Sequence, residues 1–303
     1  MQPSLLVGTK THRELDQLLG DKRRLIISGT SNETAKALLV GSVYSFTPRA
    51  SLTVTENNNN TESLSHWFHF FGVEVERLHP IENENEEIVP ESLQAFLRFM
   101  QGDHTQSFIC DRDTWDAPFP KYEDLQKRKL ILKEKQKINF TEVVETLIDL
   151  GYSHGEDIYL NPGEYRRTGD IFDIYPIQSD NSFRISLEFD AVENILSVDA
   201  DDLSITTQWD GPLEIFPVLY EHTASLKDQI PKDHLLILDD QDDIEPSLSS
   251  MVLRFTSFPE SQENHIHLRY LSVLKFYTLT DFLNDVRDKL QQDWSLVVVT
   301  KRI

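Results

Sequence analysis

Asn161-Pro162-Gly163-Glu164-Tyr165-Arg166-Arg167-Thr168-Gly169-Asp170-Ile171-Phe172-Asp173-Ile174-Tyr175-Pro176 is the stretch from which the architecture reads most clearly. Gly163 and Gly169 serve turns, Pro176 stops a strand, and Asp173 interrupts an otherwise apolar run. Downstream, Phe183, Ile185, Leu187 and Phe189 alternate with Arg184, Ser186 and Glu188. That period of two predicts a half-buried antiparallel sheet with the apolar set inward. Upstream, Val143, Val144, Leu147 and Ile148 fall on one side of a helix, Asn139 with Glu142 makes a capping-box-like start, and Gly151 ends it.

Outward from this α+β unit the pattern changes. Leu25-Ile26-Ile27 is a short apolar strand followed by Ser28-Gly29-Thr30-Ser31-Asn32, and a helix then carries Ala35, Ala37, Leu38 and Leu39. Leu52-Thr53-Val54-Thr55 predicts a second strand, running into Asn57–Asn60 and a helix faced by Leu64, Trp67, Phe68 and Phe71, with Asn60 or Thr61 as its cap. Leu93, Phe96, Leu97 and Met100 predict a further helix over 91–101, and Ser107–Cys110 a strand. Strands alternating with helices predict a parallel sheet covered on both faces. Leu235–Leu238, a helix over 280–291 and a strand at Leu296–Val299 resume that character. The expected division is an α/β domain begun in 1–125, an inserted α+β domain over 126–213, and a return to the α/β domain over 214–303. The stop four residues after Val299 gives the expectation of a truncated C-terminus.

The 303 residues suffice for two or three domains, and 39% hydrophobic with 26% charged content is that of an ordinary globular protein. No apolar run approaches a bilayer's thickness, so no membrane partner is expected. One cysteine, Cys110, excludes an internal disulfide and a four-thiolate zinc site, which suits a cytoplasmic protein. The net charge of −22 argues against strong nucleic-acid binding by the chain as a whole. Locally the sign reverses: a basic linker from Lys121 to Lys137 carries seven basic against three acidic residues, read as a solvated face.

Catalytic patterns are tested in turn. A phosphate-cradling loop needs glycines for close backbone approach and a lysine directly after the last of them. After the first strand the chain offers Gly29, but Thr34 replaces the second glycine, Lys36 comes one position late, and Glu33 carries the wrong charge. Leu235–Leu238 followed by Asp239-Asp240 has the form of a magnesium-positioning strand end. With no phosphate loop to serve, this pair reads as a solvated acidic strand end. His66/His69 and His265/His267 lack further ligands at metal spacing. The expectation is no catalytic residue, no metal and no cofactor.

The Asn161–Pro176 motif, with Leu147-Ile148-Asp149-Leu150-Gly151-Tyr152 before it and Phe183–Asp190 after it, resembles the UvrB-interaction domain. That domain is shared by UvrB and the bacterial transcription-repair coupling factor. The segments 25–39, 52–71 and 92–110 sit where the family has the strands and helices of a degenerate P-loop, RecA-like frame. The degenerate loop favours the coupling factor's N-terminal module over UvrB, and 78–89 lacks UvrB's tyrosine-rich hairpin.

The resemblance implies binding to UvrA through the inserted domain. Arg166 falls on a contact arginine of the family pattern. The arginine preceding the family glycine is Thr168 here, with Arg167 one place earlier, and the turn arginine falls at His154. Tyr165 and Tyr175, on the two strands of the motif, complete the expected partner face. RNA polymerase and DNA are expected to be contacted only through parts absent from this chain. The expected function is a non-catalytic adaptor in transcription-coupled excision repair. The alternatives are a nucleotide-dependent helicase fragment that retains ATP or DNA binding, and an autoinhibitory domain of a longer translocase.

Overall fold

Leu25 and Ile27 point from the first strand into one apolar layer, as their spacing requires. A computed structural model describes residues 13–15, 17, 24–30, 32–46, 50–82, 88–102, 106–232, 234–245, 251–257, 264–268 and 278–292. The chain opens with β1 (Arg24–Ser28), α1 (Glu33–Phe46), β2 (Ser51–Thr55), α2 (Asn58–Phe70) and β3 (Val75–Arg77). It continues through α3 (Pro90–Gln101), β4 (Ser107–Asp111), α4 (Arg112–Asp116) and β5 (Pro118–Phe119). Then come α5 (Tyr122–Arg128), β6 (Leu130–Leu132), α6 (Phe140–Asp149), β7 (Ser153–His154), β8 (Glu164–Thr168) and β9 (Ile171–Tyr175). The hairpin β10 (Ser182–Glu188) and β11 (Ala191–Val198) is followed by β12 (Ile205–Gln208) and β13 (Leu213–Ile215). Last in this part are β14 (Ala224–Ser225), α7 (Leu226–Gln229), β15 (Leu235–Asp239), β16 (Met251–Thr256) and β17 (His265–His267). Residues 269–303 form a separate unit whose described part is the helix α8 (Leu279–Gln291). The expected strand at 296–299 lies outside the described residues.

Seven strands form one parallel sheet in the order β17-β1-β16-β15-β2-β4-β3. The fold is α/β, a parallel frame of RecA-like kind. Leu235 and Ile237 face α1 and α2, whereas Leu236 and Leu238 face α3, so every residue of β15 is buried. Buried polar residues end several strands at one edge of the sheet: Ser28, Thr55, Asp239 and Thr256. In open α/β sheets this edge is where ligands bind.

A second sheet is inserted in the frame, ordered β12-β11-β10-β9-β8-β7 and antiparallel except at β7–β8. The chain enters and leaves this region side by side: β5 pairs with β14, and β6 with β13. Helix α6 covers one face, where Val143 and Leu147 meet Phe172, Ile174, Phe183 and Ile185. Tyr152 locks the Gly-Tyr turn to the returning chain, its buried hydroxyl donating to the Phe216 carbonyl at 2.9 Å. Gly151 is required there: φ is +91°, and a Cβ would lie 2.5 Å from Leu219 Cγ.

Three local expectations are corrected. Asn57, not Asn60 or Thr61, caps α2, its side chain accepting the Asn60 N–H at 3.1 Å. The basic linker after Lys121 folds into α5, whose acidic first turn and basic last turn complement the helix dipole. Phe189 does not continue the inward row of β10. A bulge between Ser186 and Leu187 breaks the alternation, and Phe189 sits in the following turn, 91% exposed.

Candidate functional site

The two arginines of the motif occupy consecutive positions of β8, so their side chains leave on opposite faces of the sheet. Arg166 shares the outer face with Asp173 and Arg184, its neighbours across β9 and β10. Asp173 is engaged by Arg184, which donates from Nε at 2.8 Å and Nη2 at 3.2 Å. Among the described residues Arg166 has no ion pair, and it remains partly exposed. Arg167 is exposed on the α6 side, its guanidinium carbon 3.9 Å from the Phe140 ring centroid, with Nε donating to the Gly169 carbonyl at 2.8 Å.

The other expected contact residues separate in the same way. His154 is exposed on β7, its ring 5.8 Å from that of Tyr165 in an edge contact. Tyr165 itself is buried in the core beside Phe172, so it supports the face and offers no surface of its own. Strand alternation sends it inward with Arg167. Tyr175 is half-buried on the outer row; its hydroxyl donates to the Asp180 carbonyl at 3.1 Å. Burial and nearby carboxylates push its pKa above the ordinary tyrosine value.

At the strand-end edge of the parallel sheet, the groups a phosphate would need are all engaged within the chain. The Thr34 amide donates to Asn32 Oδ1 at 2.8 Å. Gly29 has φ +80°, and a Cβ there would lie 2.0 Å from the Leu268 carbonyl oxygen, so the chain's own backbone fills that approach. The Lys36 ammonium binds Asp239 and also Asp240, the latter at 2.8 Å. Asp240 further accepts from the Ser257 hydroxyl at 2.9 Å.

The reading of Asp239-Asp240 as a solvated strand end is therefore corrected for Asp239, whereas Asp240 is exposed. Asp239 is only 3% exposed because Lys36, itself 4% exposed, reaches it from α1. Burial opposes the charge on Lys36, but attraction and hydrogen bonding from Asp239 and then Asp240 outweigh it and raise its pKa. Burial, against the opposing pull of Lys36, likewise lifts the Asp239 carboxyl. One ammonium shared by two acids leaves the cluster proton-retaining. Sequence reasoning saw these residues as remnants; the signal it missed is a lone lysine on the first helix placed against an acidic pair at a neighbouring strand end. It also missed Ser28, whose hydroxyl lies 2.7 Å from His265 Nε2 and 2.8 Å from His267 Nδ1.

The antiparallel sheet, its covering helix and the β6–β13 pair coincide with a recognised family. Residues 130–221 match the UvrB interaction domain. The chain is 37% identical over 79 residues to the transcription-repair-coupling factor of Borreliella burgdorferi, covering 26% of this chain and 7% of that protein. To the UvrABC system protein B of Fervidobacterium nodosum it is 32% identical over 94 residues, 31% of this chain and 14% of the relative. The UvrABC system protein B of Methanosarcina mazei is 39% identical over 77 residues, 25% and 11% of the respective lengths. The matched segments thus span a small part of these relatives. Among the described residues no helix is long and apolar enough to cross a membrane.

Proposed function

We propose that this chain is an adaptor that recruits UvrA in nucleotide excision repair, using an inserted interaction domain at about residues 126–213 while the surrounding frame stays non-catalytic. The observation that carries the reading is Arg166, without an ion pair among the described residues, on the outer face of a sheet whose sequence matches the interaction family. A guanidinium left without an internal carboxylate is available for bidentate, charge-assisted bonds to a partner. Internal engagement of Lys36, Gly29 and the Thr34 amide supports a frame that no longer holds a triphosphate. That degeneracy favours a coupling-factor role at stalled polymerase over a UvrB role. RNA polymerase and DNA would then be handled by other parts of the complete protein.

Calorimetric titration of the full chain with purified UvrA tests the proposal. Wild-type binding is expected, and Arg166→Ala should weaken it by roughly tenfold, the size of a truncated interface hot spot. Arg167→Ala is to be measured separately, because the opposite face makes it an independent contact. Absence of wild-type binding overturns the proposal; undiminished binding by Arg166→Ala removes Arg166 from the site.

A further inference from the structure

The turns β8–β9 and β10–β11 lie at the same end of the inserted sheet: Ile171 pairs with Ser186, and the Leu187 N–H donates to the Asp170 carbonyl at 2.8 Å. Between them is a hollow of about 360 Å³ whose apolar wall is Ile138, Phe140, Leu187 and Phe189. Phe189 stands out from the fold, 91% exposed, in a turn where it and Asp190 both have positive φ, +51° and +61°. A bulky residue is seldom tolerated in that conformation, and an isolated exposed ring gains nothing from burial in the free protein. Three carboxylates rim the hollow, those of Asp170, Glu188 and Asp190, and none has an ion pair among the described residues. The one cation on the wall, Arg167, is stacked on Phe140.

We infer that this hollow seats a cationic side chain, lysine or arginine, carried on an apolar stretch of the partner protein, with Phe189 inserted beside it as an aromatic anchor. The complementarity is specific. An aliphatic stem matches the apolar wall, the charged end matches three acids without an ion pair among the described residues, and the exposed Phe189 ring offers a face to a cation. A neutral apolar plug would leave the acids desolvated without a counter-charge. This rests on the proposed function, with UvrA as the protein that carries the side chain, and it adds a second contact at the sheet end to the Arg166 row.

Binding of UvrA by the full chain is measured for two variants alongside the wild type. Phe189→Gly removes the ring and places a residue at ease with positive φ, so the thermal midpoint holds or rises while affinity falls roughly tenfold. Glu188→Gln/Asp190→Asn keeps the shape and removes charge, so affinity falls at low salt and the difference from wild type narrows at high salt. Wild-type affinity in Phe189→Gly overturns the inference and leaves the proposed function standing. A charge-removed double variant that binds like wild type at every salt concentration rules out the cationic occupant. Absence of binding by the wild type overturns both.

Discussion

At Lys36 one ammonium answers two carboxylates from the end of β15, and its removal would leave Asp239 buried beside Asp240 with no counter-charge. Breaking a buried ion pair from one side costs about 3–5 kcal/mol, so Lys36→Met should lower the urea midpoint strongly. Lys36→Met/Asp239→Leu, which removes the stranded charge as well, should recover much of the loss. The raised Lys36 pKa has a pH signature. Its stabilisation is fully present below the ordinary lysine value and lost as pH rises through the higher folded value. Wild type should therefore lose more stability than Lys36→Met does as pH rises above the ordinary lysine value, in paired urea titrations. A wild type and variant with parallel alkaline profiles would contradict this assignment. The sequence reading treated the three residues as isolated remnants, because a contact between positions 36 and 239 leaves no trace in local spacing.

The β10–β11 hairpin shows where period-two reading stops working. Phe183 and Ile185 go inward as expected, but the bulge after Ser186 shifts the register, and the next large apolar residue falls in the turn. Strain of about 1–3 kcal/mol for a non-glycine residue at positive φ, set against about 0.5–1 kcal/mol of lost chain entropy for glycine, decides the sign at Phe189. Phe189→Gly should leave stability unchanged or raise it by about 1 kcal/mol, and a fall in thermal midpoint would show that the ring packs in the free protein. At β1 the opposite result is expected. Gly29→Ala forces a Cβ into the Leu268 carbonyl at an unfavourable φ, so it should destabilise the frame and increase hydrogen exchange at Ile26 and Leu268, whose N–H groups join β1 to the β17 region. Asn57→Ala removes the cap of α2 at a cost of about 1 kcal/mol by thermal unfolding.

Over the whole chain, 51 acidic residues against 29 basic ones make self-repulsion a measurable term. Screening should raise the thermal midpoint as salt increases from about 0.01 to 0.15 M, the range over which the Debye length shrinks from about 30 to 8 Å. Added ATP with magnesium should leave the midpoint where it was, since a ligand raises it only by binding the folded state. A saturable rise with ATP would revive a nucleotide-binding frame.

The amino-acid order determined the α/β alternation, the half-polar antiparallel unit in the middle of the chain and the family to which that unit is matched. Those properties are written in periods of two and 3.6 residues and in turn glycines, all short-range signals. Tertiary structure decided that Arg166 and Arg167 face opposite ways, that Tyr165 is hidden, and that Lys36 closes on two acids some two hundred positions away. It also decided that Phe189 projects instead of packing. Each of these outcomes depends on register or on distant chain segments meeting, and neither is encoded in the spacing of neighbours.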